Sequence, residues 1–403
     1  MNELKVLLAS VNYPNKYYNW APWNKEANIT ISKLANVKTE VFAPLPHSLP
    51  FKFVPYHQLA EIPIKENSVE GVIHRPRFWY LLPKKIFYGF EGSFYRRSVN
   101  EYVPKNVEKP DLVHCHHVYP DGYGFIDTCK KLDVPLVVDV HSPRLFDYLN
   151  QDIGKKVSET LNFADKIICI SEEIVNLAKK FDIKEEKIEF IPLGVDIDRF
   201  KEINKDLIRE KFNIGHKKVL LFVGNLNKMK GIEFLIKAIY MLKDNQKKDL
   251  KLIIVGEGPE KQNLINLSEN LGIKNIIEFW GVAKGSILQE LYSLADIFIL
   301  PSLSEGRPVV IYEAMASKCA IISTDVGGIS EQVKDGYNGL LVEPKNIDQL
   351  TVRINYLLEN ENLIGKMGEN GRKRIAEEGW TWNVYAKKLG KLYEELSFKE
   401  DQR

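Results

Sequence analysis

The residues best suited to chemistry in this sequence are two glutamates within residues 303–316. The stretch follows a short apolar run, residues 297–300, which has the length and composition of a buried strand. Pro308 suits the first position of a helix, since the N–H that proline lacks is unpaired there in any case. This predicts Glu305 in the loop before a helix and Glu313 on its second turn. A helix start binds anions, and a carboxylate beside it can accept hydrogen bonds from sugar or ribose hydroxyls. Both glutamates are equally compatible with ordinary positions as a dipole partner and a solvated side chain.

A second candidate stretch, residues 223–231, runs from a predicted strand into a predicted helix. Gly224 at the strand end allows close approach of a ligand, and a lysine at a helix start can meet a diphosphate. The glycine and lysine spacing is not that of a Walker loop. Lys228 and Lys230 are also compatible with a solvated surface, so the stretch alone decides nothing. A third stretch, residues 256–260, indicates only a turn.

The elements that must position these residues are short apolar runs that alternate with amphipathic stretches. Such alternation is typical of β-α units on a parallel sheet. The first half has predicted strands at residues 4–9, 38–42, 112–114, 136–140, 166–170 and 187–191. The second half has predicted strands at residues 219–223, 251–255, 276–279, 297–300, 320–323 and 340–342, with helices at 232–242 and 288–294. We therefore predict an α/β fold of two doubly wound domains, whose ligands bind beyond the carboxyl ends of the strands and in the cleft between domains.

Composition excludes several classes of protein. The chain has 403 residues, of which 44% are hydrophobic and 27% charged, as in soluble proteins of two or three domains. A net charge of +2 without long single-sign runs gives no reason to expect nucleic acid. Four scattered cysteines fit a reducing cytosol, and no run approaches the roughly 18 apolar residues of a membrane span. We expect a cytoplasmic protein, at most resting on the inner face of the membrane.

Residues 74–109 interrupt the β-α pattern with aromatic and basic side chains. Such a composition suits contact with a membrane surface or a lipid-linked acceptor. The ordinary alternative is an insertion that packs against its own domain, and it is favoured because amphipathic stretches are usually buried against protein. Both interpretations stay open at this point.

Taken together, the three stretches resemble glycosyltransferase family 4, the retaining GT-B enzymes. The resemblance is dense over residues 110–400 and thin before them. It also includes residues 191–196, 325–331, 335–342 and 380–382. It implies a GT-B fold, two doubly wound Rossmann-like domains facing across a cleft. The implied domains are residues 1–200 on the acceptor side, residues 201–378 for the nucleotide sugar, and residues 379–403 as a helix returning to the first domain.

The resemblance also implies roles for individual residues. Glu313 would hold the ribose hydroxyls, Glu305 the donor sugar, and Lys230 the diphosphate. The implied catalytic residues are His141, at the reaction centre, with Lys230 and Glu305. The implied donor-binding residues are Gly224, Asn225, Lys230, Gly306, Arg307, Pro308, Val309 and Glu313. His116 would lie on the acceptor side.

The sequence departs from the family pattern at three places. Asn225 stands where the family usually has arginine, so one diphosphate charge is missing. Arg307 occupies a position that is usually apolar or aromatic, and we do not assume that it replaces the missing arginine. Residues 13–18 stand where the family has a glycine pair, which affects the acceptor side.

We therefore expect a retaining hexosyltransferase that transfers a sugar from a UDP- or GDP-sugar to a sugar, lipid-linked or polymer acceptor. We expect it to act in the synthesis of a cell-surface polysaccharide, a glycolipid or a related glycan. The alternatives are a nucleotide-sugar epimerase of the same shape and a non-catalytic nucleotide-sugar-binding subunit. We expect no cofactor and no metal, although the histidine-rich residues 114–117 leave a zinc site to be weighed. Asp139, close to His141, could be an enzymic nucleophile or a structural hydrogen-bond acceptor.

Overall fold

The computed structural model describes residues 3–19, 21–34, 36–47, 57–79, 84–150, 153–201 and 203–400, with side chains undescribed at 57, 84–88, 150 and 398–400. The chain forms two compact units. Unit 1 comprises Met1–Pro192 and Trp382–Arg403, and unit 2 comprises Leu193–Thr381.

Unit 1 is an α/β unit around one large sheet. Its strands are β1 (Leu4–Ala9), β2 (Val37–Phe42), β3 (Leu45–Pro46), β4 (Lys65–Ser68), β5 (Gly71–His74), β6 (Arg77–Phe78), β7 (Leu112–Cys115), β8 (Leu136–Val140), β9 (Lys166–Cys169) and β10 (Ile188–Phe190). Its helices are α1 (Pro22–Ile31), α2 (Lys84–Asn106), α3 (Tyr123–Leu132), α4 (Gly154–Phe163), α5 (Glu172–Lys180) and, from the end of the chain, α15 (Trp382–Glu400).

The sheet of unit 1 has eight strands in the order β10-β9-β8-β7-β1-β2-β5-β4. All neighbours pair in parallel except the edge pair β4–β5, and β3 and β6 form a separate two-stranded sheet. The central strands β7 and β8 are buried along their whole length, as expected for a parallel sheet covered on both faces. The strand order reverses between β1 and β7, so the carboxyl ends of these strands form the place where doubly wound sheets bind ligands.

Unit 2 repeats this architecture with a smaller sheet. Its strands are β11 (Lys218–Val223), β12 (Leu250–Val255), β13 (Ile277–Gly281), β14 (Ile297–Leu300), β15 (Ala320–Thr324) and β16 (Gly339–Val342). Its helices are α6 (Lys205–Lys211), α7 (Ile232–Met241), α8 (Asp244–Lys248), α9 (Lys261–Asn270), α10 (Gly285–Leu294), α11 (Val309–Ala316), α12 (Ile329–Gln332), α13 (Ile347–Glu359) and α14 (Glu361–Glu378).

The sheet of unit 2 is parallel throughout, in the order β13-β12-β11-β14-β15-β16. Its order reverses between the hydrogen-bonded neighbours β11 and β14. The loops that follow these two strands therefore start side by side at the carboxyl edge of the sheet. They are the two loops that the sequence marks as candidates for chemistry.

Local signals explain several helix ends. Ser171, predicted as the cap of α5, accepts a hydrogen bond from the backbone N–H of Ile174 at 3.3 Å. Glu172 and Glu173 occupy the first turn, where the helix dipole favours negative charge. Asn204 and Asn346 cap α6 and α13 in the same way.

The boundary between unit 1 and unit 2 follows from the contacts of the segment after residue 192. The backbone N–H of Val195 donates to Trp380 O, and Arg372 donates to the carbonyls of Ile197 and Phe200. These contacts tie residues 193–200, which the sequence assigned to the first domain, to unit 2. The helix that leaves unit 2 at residue 382 packs in unit 1, where α15 contacts α1.

Residues 74–109 contribute both buried and exposed side chains. Residues 80–83 and the side chains of 84–88 lie outside the described part of the chain. Elsewhere Tyr95 and Phe78 are buried, whereas Trp79 and Phe90 are largely exposed. Within the described residues, no helix is both long and apolar enough to cross a bilayer. Membrane contact of this segment stays a prediction.

Candidate active site

The loops after β11 and β14 bring two predicted residues into direct contact. Lys230 Nζ lies 2.6 Å from Glu305 Oε1, although the two residues are 75 positions apart. The hydroxyl of Ser302 donates to the same carboxylate oxygen at 2.5 Å. The side chains are 22% and 10% exposed, so this charge pair is shielded from water but remains reachable. A cation held in this way can meet an anionic ligand with little reorganisation.

The glycines of residues 256–260 support the lysine loop. A Cβ atom on Gly256 would overlap Gly224 O, and one on Gly258 would overlap Leu226 O. The backbone N–H of Leu226 donates to Glu257 O at 2.9 Å. The stretch that the sequence marked only as a turn is therefore the surface against which the lysine loop packs.

Glu313 lies on the second turn of α11, as predicted. Its Oε2 accepts a hydrogen bond of 2.7 Å from the hydroxyl of Tyr292. Tyr292 is fully buried, and burial, together with the neighbouring Glu313 carboxylate, raises the pKa of this phenol well above its usual range. Tyr292 therefore stays neutral and orients one carboxylate oxygen of a half-buried Glu313.

The predicted first helical position of Pro308 is wrong by one residue. Helix α11 begins at Val309, and Pro308 is the N-cap, with φ −69° and ψ 121°. The ψ angle is extended, as at other N-caps, so the chain enters the helix only after the proline. The unpaired N–H groups of the first turn consequently start at Val309.

Arg307 and Asn225, the two departures from the family pattern, have opposite surroundings. Arg307 is buried, and its guanidinium donates to Glu331 and to the hydroxyl of Tyr312. The side chain is thus engaged in the interior, and the implied donor contact of this position, through its backbone, stays a prediction. Asn225 is exposed, next to Gly224.

In unit 1, Asp139 gathers three histidines at the carboxyl ends of β7 and β8. His114 Nε2 lies 2.7 Å from Asp139 Oδ1, and His116 Nδ1 lies 3.1 Å from Oδ2. Burial alone would raise the pKa of Asp139, but the attraction of His114 and the hydrogen bonds of His114 and His116 hold it well below its usual range. Asp139, 1% exposed, is an ionised structural acceptor. The alternative role as a nucleophile would require the displacement of these partners.

His116 is neutral in this environment. Burial lowers the pKa of His116 to about 4, against the opposing effect of Asp139. The ring therefore donates from Nδ1 to Asp139 and leaves Nε2 as an acceptor. Asn28 Oδ1 lies 2.8 Å from Nε2, and Nδ2 of the same amide is buried without a hydrogen-bond partner. We expect the amide to face Nε2 with its NH2 group, since this satisfies both atoms.

His141 differs from its neighbours because neither ring nitrogen has a hydrogen-bond partner. Its Nε2 is 3.5 Å from Asp139 Oδ2, and its side chain is 12% exposed. Burial lowers the pKa of His141, while Asp139 opposes that shift. The two ring nitrogens of His141 are buried and lack a hydrogen-bond partner, whereas His116 has both nitrogens occupied.

A metal site at the histidine cluster has one geometric basis. His114, His116 and Asp139 offer ligand atoms that all lie within 4.8 Å of one another. Hydrogen bonds account for all four ring nitrogens, since His114 Nδ1 also lies 2.5 Å from the hydroxyl of Tyr393. The expectation of no metal stays a prediction.

Sequence reasoning missed Ser302, Tyr292 and Tyr393 as members of these sites. Tyr393 lies 279 residues from His114, and nothing local in the sequence connects them. Ser302 had a signal, since it lies between the predicted strand and the donor stretch, two residues after β14 ends. The predicted residues divide between the units, with His116 and His141 in unit 1 and the donor residues in unit 2.

Comparison with known proteins identifies the family. Two sequence models match, Glycosyltransferase Family 4 over residues 39–199 and Glycosyl transferases group 1 over residues 204–374. The uncharacterised glycosyltransferase MJ1178 of Methanocaldococcus jannaschii is 32% identical over 357 residues, which are 86% of this chain and 91% of that protein. The chain belongs to glycosyltransferase family 4. This membership makes it a glycosyltransferase.

Other relatives of this family 4 glycosyltransferase agree. The putative teichuronic acid biosynthesis glycosyltransferase TuaC of Bacillus subtilis is 25% identical, with 87% of this chain and 88% of that protein covered. Among solved structures, sucrose-phosphate synthase from Thermosynechococcus elongatus matches with a TM-score of 0.80 and 21% identity, covering 98% and 99% of the chains. HepE of Anabaena in complex with UDP-glucose matches with a TM-score of 0.72 and 18% identity, covering 98% and 100%. The fold is GT-B.

Proposed function

We propose that this family 4 enzyme is a retaining hexosyltransferase that uses a UDP- or GDP-sugar as donor. The observation that carries the proposal is the contact of Lys230 with Glu305 at the carboxyl edge where β11 meets β14. This is the ligand-binding edge of a doubly wound sheet, and it lies beside the start of α11. The structure of HepE with UDP-glucose, a neighbour with the same fold, supports the choice of a nucleotide sugar.

Each donor group has a matching side chain in unit 2, which we propose as the nucleotide-sugar-binding domain. The Glu313 carboxylate, oriented by Tyr292, accepts hydrogen bonds from the ribose hydroxyls. Lys230 and the N–H groups that begin at Val309 neutralise the diphosphate. The Glu305 carboxylate accepts hydrogen bonds from hydroxyls of the donor sugar through the oxygen that does not contact Lys230.

The reaction that we propose keeps the configuration of the anomeric carbon. The bond from that carbon to the diphosphate oxygen breaks, and the acceptor oxygen attacks from the same face. The acceptor proton passes to the departing diphosphate oxygen, whose negative charge Lys230 stabilises. Removal of one such preorganised charge partner typically costs ~2.7–4 kcal/mol of barrier. No enzymic nucleophile is needed on this path, in agreement with the buried, histidine-bound Asp139.

In unit 1, which we propose as the acceptor-side domain, we assign different roles to the two predicted histidines. His141, whose buried ring nitrogens have no hydrogen-bond partner, serves at the reaction centre. His116, neutral and held on both sides, shapes the acceptor side without contacting the reacting atoms. A covalent glycosyl-enzyme trapped on Asp139 would overturn the proposed path.

We propose that the product belongs to a cell-surface polysaccharide, a glycolipid or a related glycan. The assignment of TuaC to teichuronic acid biosynthesis supports a polymer acceptor. WaaG, a glycosyltransferase of lipopolysaccharide biosynthesis with a TM-score of 0.72, supports a lipid-linked one. Catalysis at the inner face of the membrane, with residues 74–109 in contact with the bilayer, would suit a lipid-linked acceptor. Unchanged activity on liposomes and after neutralisation of Lys84 and Lys85 would contradict membrane contact.

A donor panel with product analysis tests the proposal. The enzyme is mixed with UDP-, GDP- and ADP-sugars, and binding is followed by thermal shift. A ligand at about 100 times its dissociation constant should add ~2.7 kcal/mol of stability. The bound donor is then offered with sugar and lipid-linked acceptors, and NMR of the product should show the anomeric configuration of the donor. An inverted product contradicts retention, an isomerised donor without acceptor indicates the epimerase, and binding without any turnover indicates a binding subunit.

A further inference from the structure

We propose that Arg307 and Glu331 form a buried ion pair whose task is to position the donor loop, defined here as residues 305–308. The two residues act through the backbone of the loop and do not touch the donor. The inference rests on the proposed function for its kinetic consequences. Its structural part, the anchoring of the loop, stands independently.

Three successive residues of the donor loop are tied to one short segment, residues 327–332. Gly306 O accepts a hydrogen bond of 2.6 Å from the N–H of Gly328. The Arg307 guanidinium donates to the Glu331 carboxylate, and Pro308 O accepts from Gln332 Nε2 at 3.1 Å. The loop is thus anchored along its length by the start and the end of helix α12.

The middle anchor is a charge pair in the protein interior. The side chains of Arg307 and Glu331 are 2% and 18% exposed. The Arg307 guanidinium also donates to the Tyr312 hydroxyl and lies 5.0 Å from the ring centre of Trp380. An arginine buried to this degree is strongly unfavourable unless its charge is compensated, so its position is determined by Glu331.

The carboxylate partner is itself held in place by a second arginine. Arg374 donates to the carbonyls of Glu331 and Gln332 at 2.9 and 3.1 Å. Its guanidinium also lies 5.0 Å from the ring centre of Trp380. Two arginines therefore pack against one indole ring and fix the end of α12. This makes the segment a rigid support for the loop.

The position of the loop decides the geometry of the donor site. Glu305, at the start of the loop, contacts Lys230, and Val309, directly after it, offers the first unpaired N–H of α11. A Cβ atom on Gly327 would overlap Glu305 O, which shows how closely the support approaches the loop. A shift of about 1 Å at a reaction centre can cost about 10²-fold in rate. Glu313, the proposed nucleotide contact, lies beyond the loop, on the second turn of α11.

The test compares variants of this pair with a matched pair elsewhere in unit 2. Arg307→Met removes the guanidinium, and the double variant with Glu331→Gln removes both charges, which avoids an uncompensated buried charge. Arg209→Met is the control, because it breaks a partly buried pair with Asp296 before β14, at the opposite end of the sheet. Hydrogen–deuterium exchange of the peptides that contain residues 305–308 is measured without any ligand.

We expect both variants of the Arg307 pair to raise amide exchange in the loop by about ten-fold or more. Arg209→Met should leave it unchanged. Equal exchange in the wild type and in all three variants overturns the inference. This outcome does not depend on what the enzyme binds, so it is independent of the proposed function.

The kinetic arm first measures hydrolysis of UDP-glucose, GDP-glucose and ADP-glucose by the wild type without acceptor. The donor that the wild type cleaves fastest is then used for all variants. Arg307→Met should lower kcat by about ten-fold or more while the dissociation constant of the free nucleotide changes less than about two-fold. An effect on stability alone, as in Arg209→Met, would leave kcat unchanged and contradict the positioning role. Failure of the wild type to bind any nucleotide would contradict the proposed function but not the exchange result.

Discussion

Lowering the pH should destabilise unit 1 through the buried imidazole of His116. In the folded chain burial lowers the pKa of His116 to about 4, below its ordinary value of 6.5. The unfolded chain therefore takes up this proton at a higher pH than the folded chain. The stability that the neutral ring provides is complete above pH 6.5 and is lost as the pH falls towards 4.

The magnitude follows from the difference between the two pKa values. At about 1.4 kcal/mol for each pH unit, the loss between pH 6.5 and pH 4 is ~3 kcal/mol. Burial also lowers the pKa of His74 and of His141, so they contribute to the wild-type pH dependence with the same sign. Asp139 adds little in this window, since its stabilising effect is complete above its ordinary pKa of 3.8 and is lost only as the pH falls below that value towards its depressed folded pKa.

A substitution isolates the contribution of His116. His116→Gln and the control His216→Gln, which removes an exposed histidine of unit 2, are compared with the wild type. Hydrogen exchange of amides in β7 and β8, corrected for the intrinsic pH dependence, gives the free energy of unfolding of unit 1. Over this pH range, the free energy of unfolding of unit 1 should fall by ~3 kcal/mol less in His116→Gln than in the wild type. An identical pH dependence in the wild type and in His116→Gln would refute the reasoning.

Three further changes test unit 2. Lys230→Met should lower kcat by about 10²–10³-fold in initial-rate assays, because the charge partner of the departing diphosphate is lost, and an unchanged kcat would contradict that role. Asn225→Arg should tighten nucleotide binding by about ten-fold in calorimetry at low salt, since it restores a cation beside the phosphates, and weaker binding would count against this. Gly327→Ala should destabilise the protein by ~1–3 kcal/mol in urea unfolding, since its φ is +59° and its Cβ would overlap Glu305 O. Gly365→Ala, with open space around it in α14, is the control and should stabilise by ~0.5–1 kcal/mol; equal effects would refute the steric argument.

Most of the two large sheets could be predicted from the sequence. The strands Leu4–Ala9, Leu136–Val140 and Ile297–Leu300 have the predicted bounds, because runs in which all or all but one of the residues are apolar leave little choice. The strands β3 to β6 were missed. They are two to four residues long, and β4 (Lys65–Ser68) is a polar edge strand without apolar alternation, so periodicity has nothing to detect.

The sequence indicated candidate residues for the site, whose roles stay predictions, but it did not indicate their contacts. The types and spacing of Glu305 and Glu313 indicated a ligand site, yet the contact with Lys230 depends on β11 and β14 being neighbours. The burial of Arg307 had no signal at all. An arginine in a loop is usually solvated, and the charge that compensates its burial comes from Glu331, 24 residues further along the chain.

The central claim is that unit 2 binds the nucleotide of the donor through Glu313, and titration calorimetry with UDP, GDP and ADP tests it most directly. The wild type should bind one of these nucleotides. Glu313→Gln should bind it about ten-fold more weakly or worse, because a charged acceptor of the ribose hydroxyls is lost. Glu233→Gln, on the exposed side of α7 in the same unit, is the matched control and should bind as the wild type does. No binding of any nucleotide by the wild type, or equal binding by Glu313→Gln, would contradict the account.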